Sequence, residues 1–138
     1  MVEPQGAEIT GMGWEVYPDA LRELLLRLHE EYAAPPLYIT ENGAAFTDDR
    51  QNGSVEDGQR TSYIERHVEA VAQAVELGAP VAGYFVWSLL DNFEWSRGYS
   101  QRFGIVYVDF DTLERVPKAS YAWYRDFIAA QRAARAPA

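Results

Sequence analysis

Cysteine is absent from the 138 residues, so neither a disulfide nor a thiolate metal site can be built, which suits a reducing cytoplasm. A run of about 18 apolar residues, the length a membrane-crossing helix needs, is also missing. The opening Met1-Val2-Glu3-Pro4-Gln5-Gly6 has neither the basic region nor the apolar stretch of a signal peptide, so no export signal is expected in it. Basic residues are scarce, 12 against 21 acidic ones, and the formal charge of -9 opposes phosphate backbones and anionic lipid surfaces. Nucleic-acid and membrane partners are therefore set aside. The two histidines, His29 and His67, fall on helical stretches among charged neighbours, where a solvated or half-packed role is expected rather than catalysis. No internal repeat occurs, and the Ala/Arg-rich end over 132–138 is expected to fray.

What is present is apolar material for a core: 48% hydrophobic and 14% aromatic residues, enough for one domain spanning 1–138. Leu21, Leu24, Leu25, Leu28 and Tyr32 recur at helical spacing after Pro18, and Pro35-Pro36 stops that helix. A strand over Leu37 to Thr40 follows, then a polar loop from Thr47 to Gly58 with Asn52-Gly53 as a turn signal. The next helix starts near Arg60, with Ile64, Val68, Val71 and Val75 as its expected buried stripe and Gly78 as its end. The strand Val81 to Trp87 is apolar without alternation and reads as buried on both faces, as parallel strands under helices are. Ile105 to Asp109 and Glu114 to Val116 flank Asp111-Thr112 as a short hairpin outside the main sheet. Pro117 is expected to open a last helix whose apolar face includes Tyr121, Trp123, Tyr124, Phe127 and Ile128.

Two strand ends carry the chemistry. Leu37-Tyr38-Ile39-Thr40-Glu41-Asn42-Gly43 delivers a carboxylate to the carboxyl end of a strand, where strand-helix barrels keep their catalytic groups. Beyond the second strand, Trp87 is followed by a loop with Asp91, Glu94 and Trp95, and then by Arg102-Phe103-Gly104. Sugars ask for this mixture, because the weakly polar face of a pyranose packs on indole while its hydroxyls need fixed charged or amide partners. Trp14 and Trp123 are expected in the core instead, and Asp91, a residue type that more often caps a loop than binds a sugar, is left without a role. The stretch Asp48-Asp49-Arg50-Gln51-Asn52-Gly53 superficially suggests a calcium loop, but Arg50 sits at a ligand position and the bidentate glutamate is lacking. It reads as a solvated turn, and no metal is expected.

The segment Tyr38-Ile39-Thr40-Glu41-Asn42-Gly43, the run from Trp87 to Trp95 and Lys118-Ala119-Ser120 resemble the C-terminal part of family 1 glycoside hydrolases, the β-glucosidase group. Met12-Gly13-Trp14-Glu15-Val16-Tyr17-Pro18 is similar to the stretch that precedes the nucleophile strand in that family. The resemblance implies an α/β fold, the C-terminal portion of a (β/α)8 barrel from about strands 7–8 with helices 6–8. Such a barrel typically takes about 250 residues, so this piece is incomplete.

By the same resemblance, Glu41 corresponds to the nucleophile of a retaining β-glucosidase, and Glu94 with Trp95 to the pair that holds hydroxyls of the nonreducing sugar. Trp87 corresponds to the base of that subsite and Phe103 to an aromatic wall. The acid/base lies in a Thr-x-Asn-Glu-Pro motif in the family, and no Asn-Glu-Pro occurs in this sequence. The implied ligand is a β-glucoside or related saccharide, with no cofactor, since displacement at the anomeric carbon needs only carboxylates and water. Three readings stay open: a hydrolase acting through Glu41, either when complemented or with an acid improvised from a neighbour or from Glu94, a noncatalytic sugar binder, and a structural piece of barrel. Two open edges of parallel sheet are expected to seek a complementary N-terminal portion or further copies of the chain.

Overall fold

The computed structural model describes residues 6–32 and 35–135. Within them the order is α1 (Pro18–Tyr32), β1 (Leu37–Asn42), β2 (Arg50–Gln51), β3 (Ser54–Val55), α2 (Gly58–Glu76), β4 (Val81–Val86), β5 (Val106–Val108), β6 (Arg115–Pro117) and α3 (Ala119–Arg135). β1 and β4 pair in parallel, with α2 as their crossover. The hairpins β2–β3 and β5–β6 form separate antiparallel pairs. The result is the expected α/β piece of a barrel, with strands that do not close among the described residues. No helix among those residues is long and apolar enough to cross a membrane.

Local chemistry explains the elements. Pro18 begins α1 and Asp19 lies in its first turn, where the missing N–H costs nothing and a negative charge meets the positive end of the helix dipole. Asn52 and Gly53 take φ of 51° and 82°, the left-handed pair a two-residue hairpin turn requires. The expected polar loop thus contains the hairpin β2–β3, too short to show as an alternating pattern. α2 begins at Gly58, two residues before the expected start, and gives way at Gly78, whose φ of 101° suits only glycine. Pro117 ends β6 rather than opening α3, because its neighbour Val116 is still paired with Tyr107. α3 runs on to Arg135, into the stretch expected to fray, and the rest of that stretch lies outside the described residues.

The core has two centres. Val16, Phe46, Tyr63, Ile64 and Ile105 gather under the loop end, with Trp123 packed partly buried against them as expected. Leu25, Val71, Ala74 and Ala79 join α1 and α2 beneath Leu37, Ile39 and Val81. α2 faces inward along Tyr63, Ile64, His67, Ala70, Val71 and Ala74, so the expected stripe is rotated and Val75 stands exposed. Leu24 and Tyr32 of α1 are likewise exposed. β4 differs from expectation in the same way: Ala82 and Phe85 are uncovered, because the helices shield only one face of the strand pair. Tyr38 lies on that uncovered side with its ring across Gly83, where a Cβ would stand 2.7 Å from its Cδ1.

Candidate active site

The carboxyl ends of β1 and β4 are drawn together beyond their last paired residues. Trp87 N–H donates to the Asn42 carbonyl at 2.9 Å, and a Cβ on Gly43 would lie 1.7 Å from the Trp87 carbonyl oxygen. Only glycine lets the two strand ends meet so closely. Asn42 is pinned from the side: its Oδ1 accepts the Tyr84 hydroxyl at 2.7 Å, and its Nδ2 lies 3.5 Å from the Tyr63 hydroxyl. Burial pushes the Tyr84 phenol up strongly, with Tyr63 and Tyr124 adding to it, so Tyr84 stays a neutral donor. Burial likewise raises Tyr63, and its contact with Asn42 offsets part of that rise.

The chain then leaves on a loop that returns beside itself. The Trp87–Ser88 peptide is cis. Ser88 N–H donates to the Phe103 carbonyl at 3.2 Å, Ile105 N–H to the Ser88 carbonyl at 2.9 Å, and Val106 N–H to the Leu89 carbonyl at 2.8 Å. At the tip, Glu94 N–H donates to the Gly98 carbonyl at 2.7 Å around a short 3-10 turn, Trp95–Arg97. Trp95 has a φ of 35°, sparsely populated for any residue with a Cβ, and the residue is 83% exposed. Left-handed strain of this kind costs about 1–3 kcal/mol and is concentrated at functional sites.

Glu41, Trp87, Glu94, Trp95 and Phe103 all line one pocket of about 460 Å³, within the range of small-ligand sites. Trp14, Asn42, Gly43 and Tyr63 complete its lining. Glu41 is exposed, Glu94 and Trp87 are half-buried, and Phe103 is buried against Trp14 with ring centroids 6.2 Å apart. Trp14 departs from the expected core position. The turn at Gly13, with Thr10 N–H bonded to the Trp14 carbonyl and Gly11 N–H to Ala45, holds its indole half-exposed over the pocket. A larger hollow of about 550 Å³ lies elsewhere, between α2, β4 and α3. Its lining is mainly Val, Ala, Tyr, Phe and Ile, with Glu76, Gln131 and Arg132 beside them, and it holds none of the expected site residues.

Beneath the loop the charges are buried. Asp91, left without a role on sequence, accepts from Gly104 N–H at 2.9 Å and from Arg102 Nη1 at 2.6 Å and so caps the loop. Asp48 is not part of a solvated turn: its carboxylate is fully buried, bonded to Arg60 at 2.9 Å and to Lys118. Asp57, at the start of α2, takes Ser120 N–H at 2.8 Å and Arg60 at 2.5 Å. Burial and the nearby Arg60 pull the Lys118 ammonium down, while Asp91 and Asp48 hold it up. His67 is buried rather than solvated, stacked on Tyr63 at 3.9 Å with Nδ1 2.7 Å from the Tyr63 carbonyl. His29 is half-buried. Among the described residues no cluster of His, Cys, Asp and Glu is arranged to hold a metal.

Known proteins share the family and the fold of this chain. The family model described as glycosyl hydrolase family 1 matches residues 2–133. A bifunctional β-D-glucosidase/β-D-fucosidase of Bifidobacterium breve is 51% identical over 91% of this chain and 28% of its own length. The crystal structure of a β-glucosidase from Exiguobacterium antarcticum B7 superposes with a TM-score of 0.93 at 48% identity, covering 97% of this chain and 30% of that one. A Thermotoga maritima β-glucosidase in complex with glucoimidazole gives a TM-score of 0.90 at 48% identity, over 93% of this chain and 29% of that one. The chain thus spans a little under a third of the length of the relatives it matches.

Proposed function

The chain belongs to glycosyl hydrolase family 1, and from that premise we propose that it carries the nucleophile and half the sugar cradle of a retaining β-glucosidase. The observation that supports this reading is the convergence of Glu41, Trp87, Glu94, Trp95 and Phe103 on one pocket. In the proposed reaction a Glu41 oxygen attacks the anomeric carbon while the glycosidic C–O bond breaks and the leaving oxygen takes a proton from an acid. Water then releases the sugar from the glycosyl-enzyme, its proton passing back to the same group. Trp87 and Trp95 offer indole faces to the ring, and Glu94 offers carboxylate oxygens to its hydroxyls.

The acid, on this reading, comes from a complementary barrel portion that pairs along the free edges of β1 and β4, with self-association as the competing arrangement. Residues 1–138 act as a single partial-barrel unit, and the cytoplasm is the proposed setting, supported by the zero cysteine count. A second reading has the chain alone bind sugar without turning it over. The exposure of Trp95 favours it, since an open pocket neither excludes water nor fixes both carboxylates across a bond.

The test is hydrolysis of an aryl β-glucoside. The chain is measured alone and after mixing with the N-terminal remainder of the Thermotoga maritima enzyme, the part that this chain does not match. We expect turnover in the mixture, lost by at least about three orders of magnitude on Glu41→Gln, as loss of a covalent nucleophile brings. A mixture that associates yet hydrolyses nothing, or that is indifferent to Glu41→Gln, contradicts the proposal.

A further inference from the structure

The loop from Asp91 to Gly104 places Glu94 and Trp95 over the pocket, and its base is closed by one carboxylate. The Asp91 side chain is fully buried. Its Oδ1 accepts from Gly104 N–H at 2.9 Å and from Lys118 Nζ at 3.0 Å, and its Oδ2 from Arg102 Nη1 at 2.6 Å and Val108 N–H at 3.3 Å. Arg102 and Gly104 stand at the far end of the loop, so Asp91 ties its departure to its return. The approach demands glycine at 104, where a Cβ would lie 2.1 Å from the Asp91 nitrogen. On the other side, Lys118 is fully buried and bonds Asp48 as well, and Asp48 shares Arg60 with Asp57. Arg60, Arg102 and Lys118 face Asp48, Asp57 and Asp91, three charges of each sign.

A balanced set of buried charges is a weak source of stability, because apolar groups of similar volume often hold a fold as well or better. Its gain is a single geometry, since each acceptor fixes the direction of its donors. That geometry is delivered to the residues facing Glu41. We propose that Asp91 and Lys118 are positioning residues for sugar binding: their buried ion pair fixes the loop that holds Glu94 and Trp95 above Glu41. The proposal rests on the sugar-site reading above, but its first test needs no turnover.

That test is amide hydrogen exchange on the whole chain, which separates local from global opening. In Asp91→Asn, the amides of Arg97, Gly98, Gly104 and Val108 should exchange about tenfold faster or more, while those of α2 at His67 and Val71 keep their wild-type rates. In Asp91→Asn with Lys118→Met, the charges balance again; α2 should stay protected and the loop should stay fast. Unchanged loop rates in Asp91→Asn, or an equal rise in loop and α2, overturns the proposal. If Asp91→Asn does not fold, Arg102→Gln removes one donor at a partly exposed side chain and is judged by the same pattern. A glucoimidazole titration, read by tryptophan fluorescence, then separates the two readings. A wild-type chain that shows no binding even when mixed with the complementary barrel portion counts against the sugar-site reading, while the exchange rates still decide the loop. Binding that is equally tight in a loop-loosened Asp91→Asn overturns the positioning role.

Discussion

At the loop end, Asp48, Asp57 and Asp91 each meet a cation with their side chains out of water, whereas in the strand-and-helix layer Tyr38, Phe85, Leu24, Tyr32 and Val75 stand uncovered. The two regions share α2, which begins among the buried charges at Arg60 and ends beside the open hollow at Val75 and Glu76. The charged groups of the loop end find their partners within this chain, whereas the apolar face has none among the described residues. That contrast accounts for a pocket assembled on an unclosed wall.

The strongest way to break the contrast is to unpair the charged end. Arg60→Met leaves Asp48 and Asp57 short of a donor, and the loss should be about 3–5 kcal/mol, read as a fall in the urea midpoint at constant slope. A loss under about 1 kcal/mol would make the two ends equally dispensable. Next in size is Gly43→Ala, which must push the end of β1 away from Trp87; overpacking of this kind costs about 1–3 kcal/mol. It should weaken sugar binding along with stability, whereas an equally tight chain would show that the strand ends need not meet.

A smaller effect is expected from His67, which lies where the regions join. Burial, with Arg66 adding to it, pushes its imidazole below the ordinary 6.5 despite the Tyr63 carbonyl. The unfolded chain therefore takes up this proton first, so stability present above pH 6.5 drains as pH falls through the lower folded value. His67→Gln should flatten the midpoint between pH 7.5 and 5; an unchanged slope would assign the acid sensitivity elsewhere. The smallest change in stability, within about 0.5 kcal/mol per site, is expected from Tyr38→Thr and Phe85→Thr on the open face. If copies of the chain pair through this face, as the competing arrangement proposes, the same pair should lower the sedimenting mass at micromolar concentration, and an unaltered mass distribution would count against that arrangement.

Periodicity and turn chemistry made most elements legible. The helices at Pro18 and Arg60, the paired strands and the outlying hairpin follow from apolar spacing and from Pro, Gly and Asn-Gly punctuation. Burial was less legible, because it depends on what arrives from far along the chain. Asp48 reads as a loop charge until Lys118, 70 residues later, meets it. The α2 stripe and the faces of β4 could be assigned only by assuming neighbours on both sides, and one side is open. Trp14 follows a glycine in a tight turn, a sign that its indole could be held outward, but composition favours a core tryptophan. Asn42 carried no signal beyond its place beside Glu41 and Tyr63 carried none, since the links Tyr63–Asn42 and Asn42–Tyr84 are contacts between elements.

The most direct measurement is covalent trapping. The complemented chain is incubated with an activated 2-deoxy-2-fluoro β-glucoside, which forms the glycosyl-enzyme but releases it slowly, and the labelled peptide is mapped by mass spectrometry. A single sugar on Glu41 is the expected result. A label on Glu94 or on any other carboxylate, or turnover with no covalent adduct at all, would contradict it.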